Sequence, residues 1–83
     1  IHENPYILIL NCRDEKAEET ALGLVEKSAE RFCIKSKTVN QSGIELTAEI
    51  RMKDTSTSFV NRLSNMEGIG NATLVSYNGE YMS

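Results

Sequence analysis

Residues 6–12 read YILILNC, a tyrosine and four branched aliphatic residues in unbroken succession before Asn11 and Cys12. A run this short and β-rich, ended by the polar break at Arg13 and Asp14, predicts a strand buried on both faces. Such a strand belongs inside a sheet. Residues 44–52 read IELTAEIRM, and here the pattern has period two. Ile44, Leu46, Ala48, Ile50 and Met52 fall on one side, with Glu45, Thr47, Glu49 and Arg51 on the other. That is a strand with one core face and one wet face.

Between these stretches Asp14 is placed to cap a helix. The apolar positions Ala17, Ala21, Leu24, Val25, Ser28 and Phe32 recur at spacings of three and four, and Glu15, Glu18 and Glu19 lie near the positive end. Gly23 inside it costs roughly 1 kcal/mol against Ala, and close packing against a strand would explain its presence. Residues 33–40, CIKSKTVN, form a weaker strand joined to the next by Gln41, Ser42 and Gly43. A three-residue hairpin with Gly in the left-handed position fits these residues. It sets Asn40 opposite Ile44, Lys37 opposite Thr47 and Lys35 opposite Glu49, so that both lysines share the glutamate face of a protected edge.

A second helix starts among Asp54, Thr55, Ser56 and Thr57, presents Phe59, Val60, Leu63 and Met66, and stops at Gly68. After the Gly68–Asn71 connection, residues 72–77 form a last strand. Asn78-Gly79 then signals a two-residue turn, with residues 80–82 as a short returning edge. The order is strand, helix, strand, strand, helix, strand. Right-handed crossovers and the central hairpin lead to an α+β, ferredoxin-like βαββαβ sandwich. Its antiparallel sheet has spatial order 4-1-3-2, with two helices on one face, and this places the two most apolar strands in the middle. Leu24, Val25 and Ile50 are expected in one core. Residues 1–83 show no repeat or linker and read as a single domain.

The composition narrows the function. Nine Lys and Arg against 12 Asp and Glu give a net charge of −3, which opposes the phosphate neutralisation that dominates nucleic-acid affinity. Tyr6, Tyr77 and Tyr81 could stack on bases, but Glu45, Thr47 and Glu49 stand where an RNA-reading sheet carries aromatics. No apolar run approaches the roughly 20 residues of a membrane span, and no signal-peptide pattern is present. The segment is expected to be soluble, and as the chain opens at Ile1 rather than Met it is expected to be a piece of a longer one. At 83 residues it would bury only roughly 60 to 65% of its unfolded surface, so self-association is a reasonable expectation.

Catalytic residues are not expected. His2 is the one histidine, set in a polar leader, and Cys12 and Cys33 lack the spacing of a zinc or redox pair. No metal or cofactor is expected. Cys12 reads as a structural cysteine, and a strand between it and Cys33 argues against a disulfide. The acids Asp14, Glu15, Glu18 and Glu19 read as a solvated helix start. Gly68-Ile69-Gly70 leads into a strand and so lacks the helix N-terminus of a phosphate loop. The loop Asn11–Lys16 also lacks the glycines an acylphosphatase-like cradle would need.

With these elements in place, the chain resembles the ACT and ACT-like family of regulatory domains over nearly its whole length. Residues 66–81, MEGIGNATLVSYNGEY, resemble the C-terminal cytosolic domain of a family of bacterial membrane proteins in which transmembrane helices precede an ACT-like module. They are similar also to the tail domain of the magnesium-transport-associated MgtC group. The resemblance implies a non-enzymatic regulatory or assembly module, cytoplasmic and tethered to the inner membrane through a missing parent segment. A free-standing sensor of an amino-acid-like ligand is the alternative. ACT domains use the loop after the first strand for ligands, and here that loop has neither Pro nor Gly. Asn11, Arg13 and Asp14 are the ligand-binding candidates it offers.

A homodimer is the expected partner state. The first strand carries two apolar sets, and helices on one side can cover only one. Ile7, Leu8, Ile9, Val75 and Tyr77 are therefore the interface candidates, on the sheet face opposite the helices, with the sheet edge as a further contact.

Overall fold

A computed structural model of the chain describes residues 4–52 and 57–76. The elements are β1 (Asn4–Cys12), α1 (Glu15–Ser28), β2 (Arg31–Asn40), β3 (Gly43–Met52), α2 (Ser58–Ser64) and β4 (Ile69–Ser76). All three strand pairings are antiparallel, and the sheet order is β2-β3-β1-β4. This is the expected 4-1-3-2 order read from the other edge.

β1 and β3 alternate as their sequences demand. Leu8, Leu10 and Cys12 are buried together with Ile44, Leu46, Ala48, Ile50 and Met52, and the helices supply Ala17, Ala21, Val25, Phe59 and Leu63 to the same core. Ile7, Ile9 and Asn11 are set on the opposite face by the pleat. Both helices thus cover one side of the sheet. Asp14 caps α1, its side chain accepting from the Ala17 N–H at 2.9 Å. The four-residue spacing of Ala17, Ala21 and Val25 makes its buried seam.

Several local expectations are corrected. α1 ends at Ser28, because Ala29 turns extended and the Glu30 N–H donates to the Arg51 carbonyl at 2.8 Å, which starts β2 early. Phe32 therefore lies on β2 rather than on the helix stripe. Leu24 is only half-buried, whereas Val25 and Ile50 are fully buried. Gly23 has nothing within 4 Å of where a Cβ would stand, so close packing does not explain it.

The β2–β3 turn has two residues, Gln41 and Ser42, with Asn40 paired to Gly43. Asn40 Oδ1 holds the Ser42 N–H at 2.8 Å, and Gly43 takes φ +130° where a Cβ would collide with the Cys12 carbonyl. The register consequently puts Lys37 opposite Leu46 and Val39 opposite Ile44. Lys37 therefore faces the helices, not the glutamate face. An irregularity between Ile34 and Ser36 leaves Lys35 as an extra residue. Beyond it β2 presents alternate residues to alternate faces in the opposite sense.

β4 begins at Ile69, three residues before the expected start. Ile69 pairs with Cys12 and is buried, and Gly70 is the extra residue at a second register shift. Ile69 is thus a core residue that reading the segment as a connection misses. The helix-cap candidates Asp54, Thr55 and Ser56 lie outside the described residues, as do Asn78-Gly79 and the returning edge. Thr57, the remaining candidate, stands at the N-cap of α2 without a side-chain hydrogen bond.

Candidate functional site

Two places could carry function: the loop after β1 and the uncovered sheet face. In the loop, the Arg13 N–H donates to the Gly68 carbonyl at 2.7 Å, clamping β1 to the turn between α2 and β4. The Arg13 guanidinium lies 3.3 Å from Asp14 and 3.9 Å from Glu67. Gly68 has φ +86°, and a Cβ there would stand 2.7 Å from that of Ala17. The turn therefore packs directly on the first turn of α1.

These contacts decide what the three ligand candidates can do. Asp14 is committed to the helix cap and to Arg13, and the Ala17 N–H first, then Arg13, holds its carboxyl below the ordinary 3.8. Arg13 is drawn across to the α2 end of the domain. Asn11 belongs to the open face, on the far side of the strand from Cys12. Asn11 and Arg13 share the lining of one shallow depression with Ser42 and Gly68 to Gly70, while Asp14 lines a separate one with Lys16 and Thr20. The structure thus brings Arg13 and Asp14 together but leaves the three without a common pocket.

Cys12 is 3% exposed. Burial, followed by the nearby Glu18 and Asp14 carboxylates, pushes its thiol above the ordinary 9.0, the reverse of what a nucleophilic thiolate needs. Cys33 is exposed on β2, and both are free, with β3 between their strands. The acidic cluster separates into different tasks. Asp14 caps the helix, Glu18 is buried and pairs with Lys37 at 2.9 Å, and Glu15 and Glu19 are exposed.

On the open face, Ile7 pairs with Glu49 and Val75, and Ile9 pairs with Thr47 and Thr73. Val75 is 45% exposed. This apolar island lies at the middle of the sheet, with Glu45, Asn71 and Asn11 at one end. Leu8 is 1% exposed beneath the helices, so it lies on the other side of β1 from Ile7 and Ile9. Tyr77 lies outside the described residues.

Sequence reasoning did not single out the Glu18–Lys37 pair or the meeting of Arg31 with Arg51 across β2 and β3. Counting back from a two-residue turn reveals the first. The second depends on the irregularity at Lys35, which has no sequence signature.

The fold defines a ferredoxin-like α+β domain with helices on one sheet face and, among the described residues, none on the other. No family model matches the chain, and no curated protein matches it significantly. Among solved structures, it is similar to the C-terminal domain of the MgtC protein from Mycobacterium tuberculosis. The TM-score is 0.72 at 20% identity, over 90% of this chain and 88% of that one. At that identity the likeness is one of fold, and it agrees with the resemblance noted in residues 66–81. No helix among the described residues is long and apolar enough to cross a membrane.

Proposed function

We propose that this chain is a non-enzymatic regulatory or assembly module that pairs with a second copy of itself across the open sheet face. The observation that carries this reading is the apolar island of Ile7, Ile9 and Val75 on a face the helices leave uncovered. A small domain gains by burying such a patch. Three side chains contribute roughly 1.5 to 3 kcal/mol each before association costs, which suits a modest dimer. The raised Cys12 thiol and the committed Asp14 support a role without catalysis.

In this proposal the module is the cytoplasmic tail of a longer protein embedded in the inner membrane. Its likeness to a domain that stands at the C-terminal end of its own protein supports that placement. Apolar spans of about 20 residues in the upstream reading frame are the expected finding. The alternative, sensing of an amino-acid-like ligand at Asn11, Arg13 and Asp14, has less support because Asp14 is already engaged.

Sedimentation equilibrium tests the pairing. At about 100 μM, well above the dissociation constant such burial suggests, the wild-type chain should be a dimer and the Ile7→Lys/Ile9→Lys variant a folded monomer. A wild-type monomer at that concentration, or a variant that still dimerises, overturns this use of the face.

A further inference from the structure

The open face is polar in a directional sense along β3, and this bears on how two copies can meet. The β3 positions on this face are Glu45, Thr47, Glu49 and Arg51, an acid at one end and a base at the other. They pair in turn with Asn11, Ile9, Ile7 and Pro5 of β1. The level of Leu8, with Ala48 and Leu74 beside it, is therefore midway between Glu45 and Arg51 and also midway between Ile7 and Ile9. Glu49 already has cations at hand, Lys35 at 3.8 Å and Arg51 at 3.3 Å. Glu45 is exposed, and among the described residues no cation pairs with it. A guanidinium has five N–H donors, so the contact with Glu49 does not exhaust Arg51.

Two copies stacked by their open faces, β1 over β1, can be related by a two-fold axis in either of two directions. An axis parallel to the strands keeps their direction and lays β3 of one copy over β4 of the other. Val75, 45% exposed, then meets Glu49 of the second copy, and Glu45 meets Asn71, because Val75 and Glu49 flank Ile7 while Asn71 and Glu45 flank Asn11. That arrangement covers a carboxylate with an aliphatic group. An axis across the strands at Leu8 reverses their direction and lays β3 over β3. Ile7 then meets Ile9, Val75 meets Thr73, Glu49 meets Thr47, and Glu45 meets Arg51. Aligned sheets cross at about 30°, which moves a residue three positions from the axis by roughly 5 Å, a distance Arg and Glu side chains span.

We propose that two copies of this chain pair about a two-fold axis that crosses the strands at Leu8, with their β1 strands antiparallel and Glu45 of each copy on Arg51 of the other. The inference rests on the self-association proposed above and specifies its geometry. Symmetry makes the Glu45–Arg51 contact twice, once at each end of the apolar island. A slip of two residues along the strands still buries isoleucine but parts the charged ends. The ion pairs therefore select register and direction, while the island provides the driving force.

Charge-swapped variants followed by sedimentation equilibrium at low ionic strength, where such pairs are least screened, provide the test. Glu45→Arg sets like charges against each other at both contacts of a homodimer, and so does Arg51→Glu. Each should weaken self-association by about tenfold or more. An equal mixture of the two restores an opposite-charge pair at both contacts, and should form a heterodimer at concentrations where either variant alone is monomeric. The double variant Glu45→Arg/Arg51→Glu should recover the homodimer. Circular dichroism establishes that each variant is folded. If Arg51→Glu does not fold, Glu45→Arg/Arg51→Gln takes its place and should dimerise more tightly than Glu45→Arg alone. A wild-type chain that is monomeric at about 100 μM overturns the self-association itself. A wild-type dimer whose single variants pair as tightly as it does, or whose mixture pairs no better than either variant alone, overturns this geometry and leaves the self-association standing.

Discussion

Gly23 and Gly68 carry opposite consequences for stability, and the sequence gives them different roles, Gly23 inside the first helix and Gly68 as the stop of the second. Gly23 lies within α1 with open space where a Cβ would go, so Gly23→Ala should stabilise by about 0.5 to 1 kcal/mol. Gly68 combines φ +86° with a Cβ position 2.7 Å from Ala17 Cβ, so Gly68→Ala should cost more than about 1 kcal/mol. Urea denaturation of the two variants checks both signs, and equal effects would mean that the Gly68 turn does not pack on α1 as described. Asp14 provides a second residue-scale expectation. Its carboxyl is held below 3.8, first by the Ala17 N–H. The stabilisation is complete above the unfolded-state value and is lost as pH falls through the lower folded value. Asp14→Asn keeps a capping side chain that does not titrate. The wild-type advantage in Tm over Asp14→Asn should therefore shrink between about pH 6 and pH 2. A pH-independent difference would show that the charged cap is not the source.

At the scale of elements, a polar contact joins β2 to α1. Glu18 is 7% exposed and receives Lys37 from the neighbouring strand at 2.9 Å. Hydrogen bonding to Glu18 raises Lys37 above its ordinary 10.5, so this contribution persists through neutral pH and is lost only as pH rises beyond that value. Lys37→Met leaves a buried carboxylate without its cation and should lower Tm clearly. Adding Glu18→Gln should recover most of the loss, since the remaining amide needs no counter-charge. Two independent, additive losses in that double-mutant cycle would mean the pair is not coupled. The hairpin shows where local reading ends. Asn40 to Gly43 favour a turn by their chemistry, but whether it has two or three residues changes the face of every β2 side chain. Burial of Glu18 favours the register that brings Lys37 to it.

At the scale of the whole molecule, the two faces of β1 separate stability from assembly. Leu8 is 1% exposed among the helices, so Leu8→Lys should abolish cooperative unfolding. Ile7→Lys, on the open face, should leave the Tm of a dilute sample within about 4 °C of wild type, which corresponds to roughly 1 kcal/mol for a domain this size. Circular dichroism melts of both variants check the assignment, and loss of folding in both would mean that the open face is covered. The two-layer architecture was legible in the sequence from particular residues. The unbroken apolar run at residues 6–10 required a central strand, and the alternation from Ile44 to Met52 required a half-buried neighbour. Asp14 with Ala17, Ala21 and Val25 required a helix packed on them. These signals are local, and they followed from periodicity and burial alone. The candidate site was less legible. Which set of β1 faces outward, Ile69 as a core residue, and the pairing of Arg31 with Arg51 all depended on strand register. Register is a property of pairs of distant residues, shifted here by one extra residue at Lys35 and another at Gly70. A shift of one residue exchanges faces without altering any local preference, so only the tertiary structure could decide it.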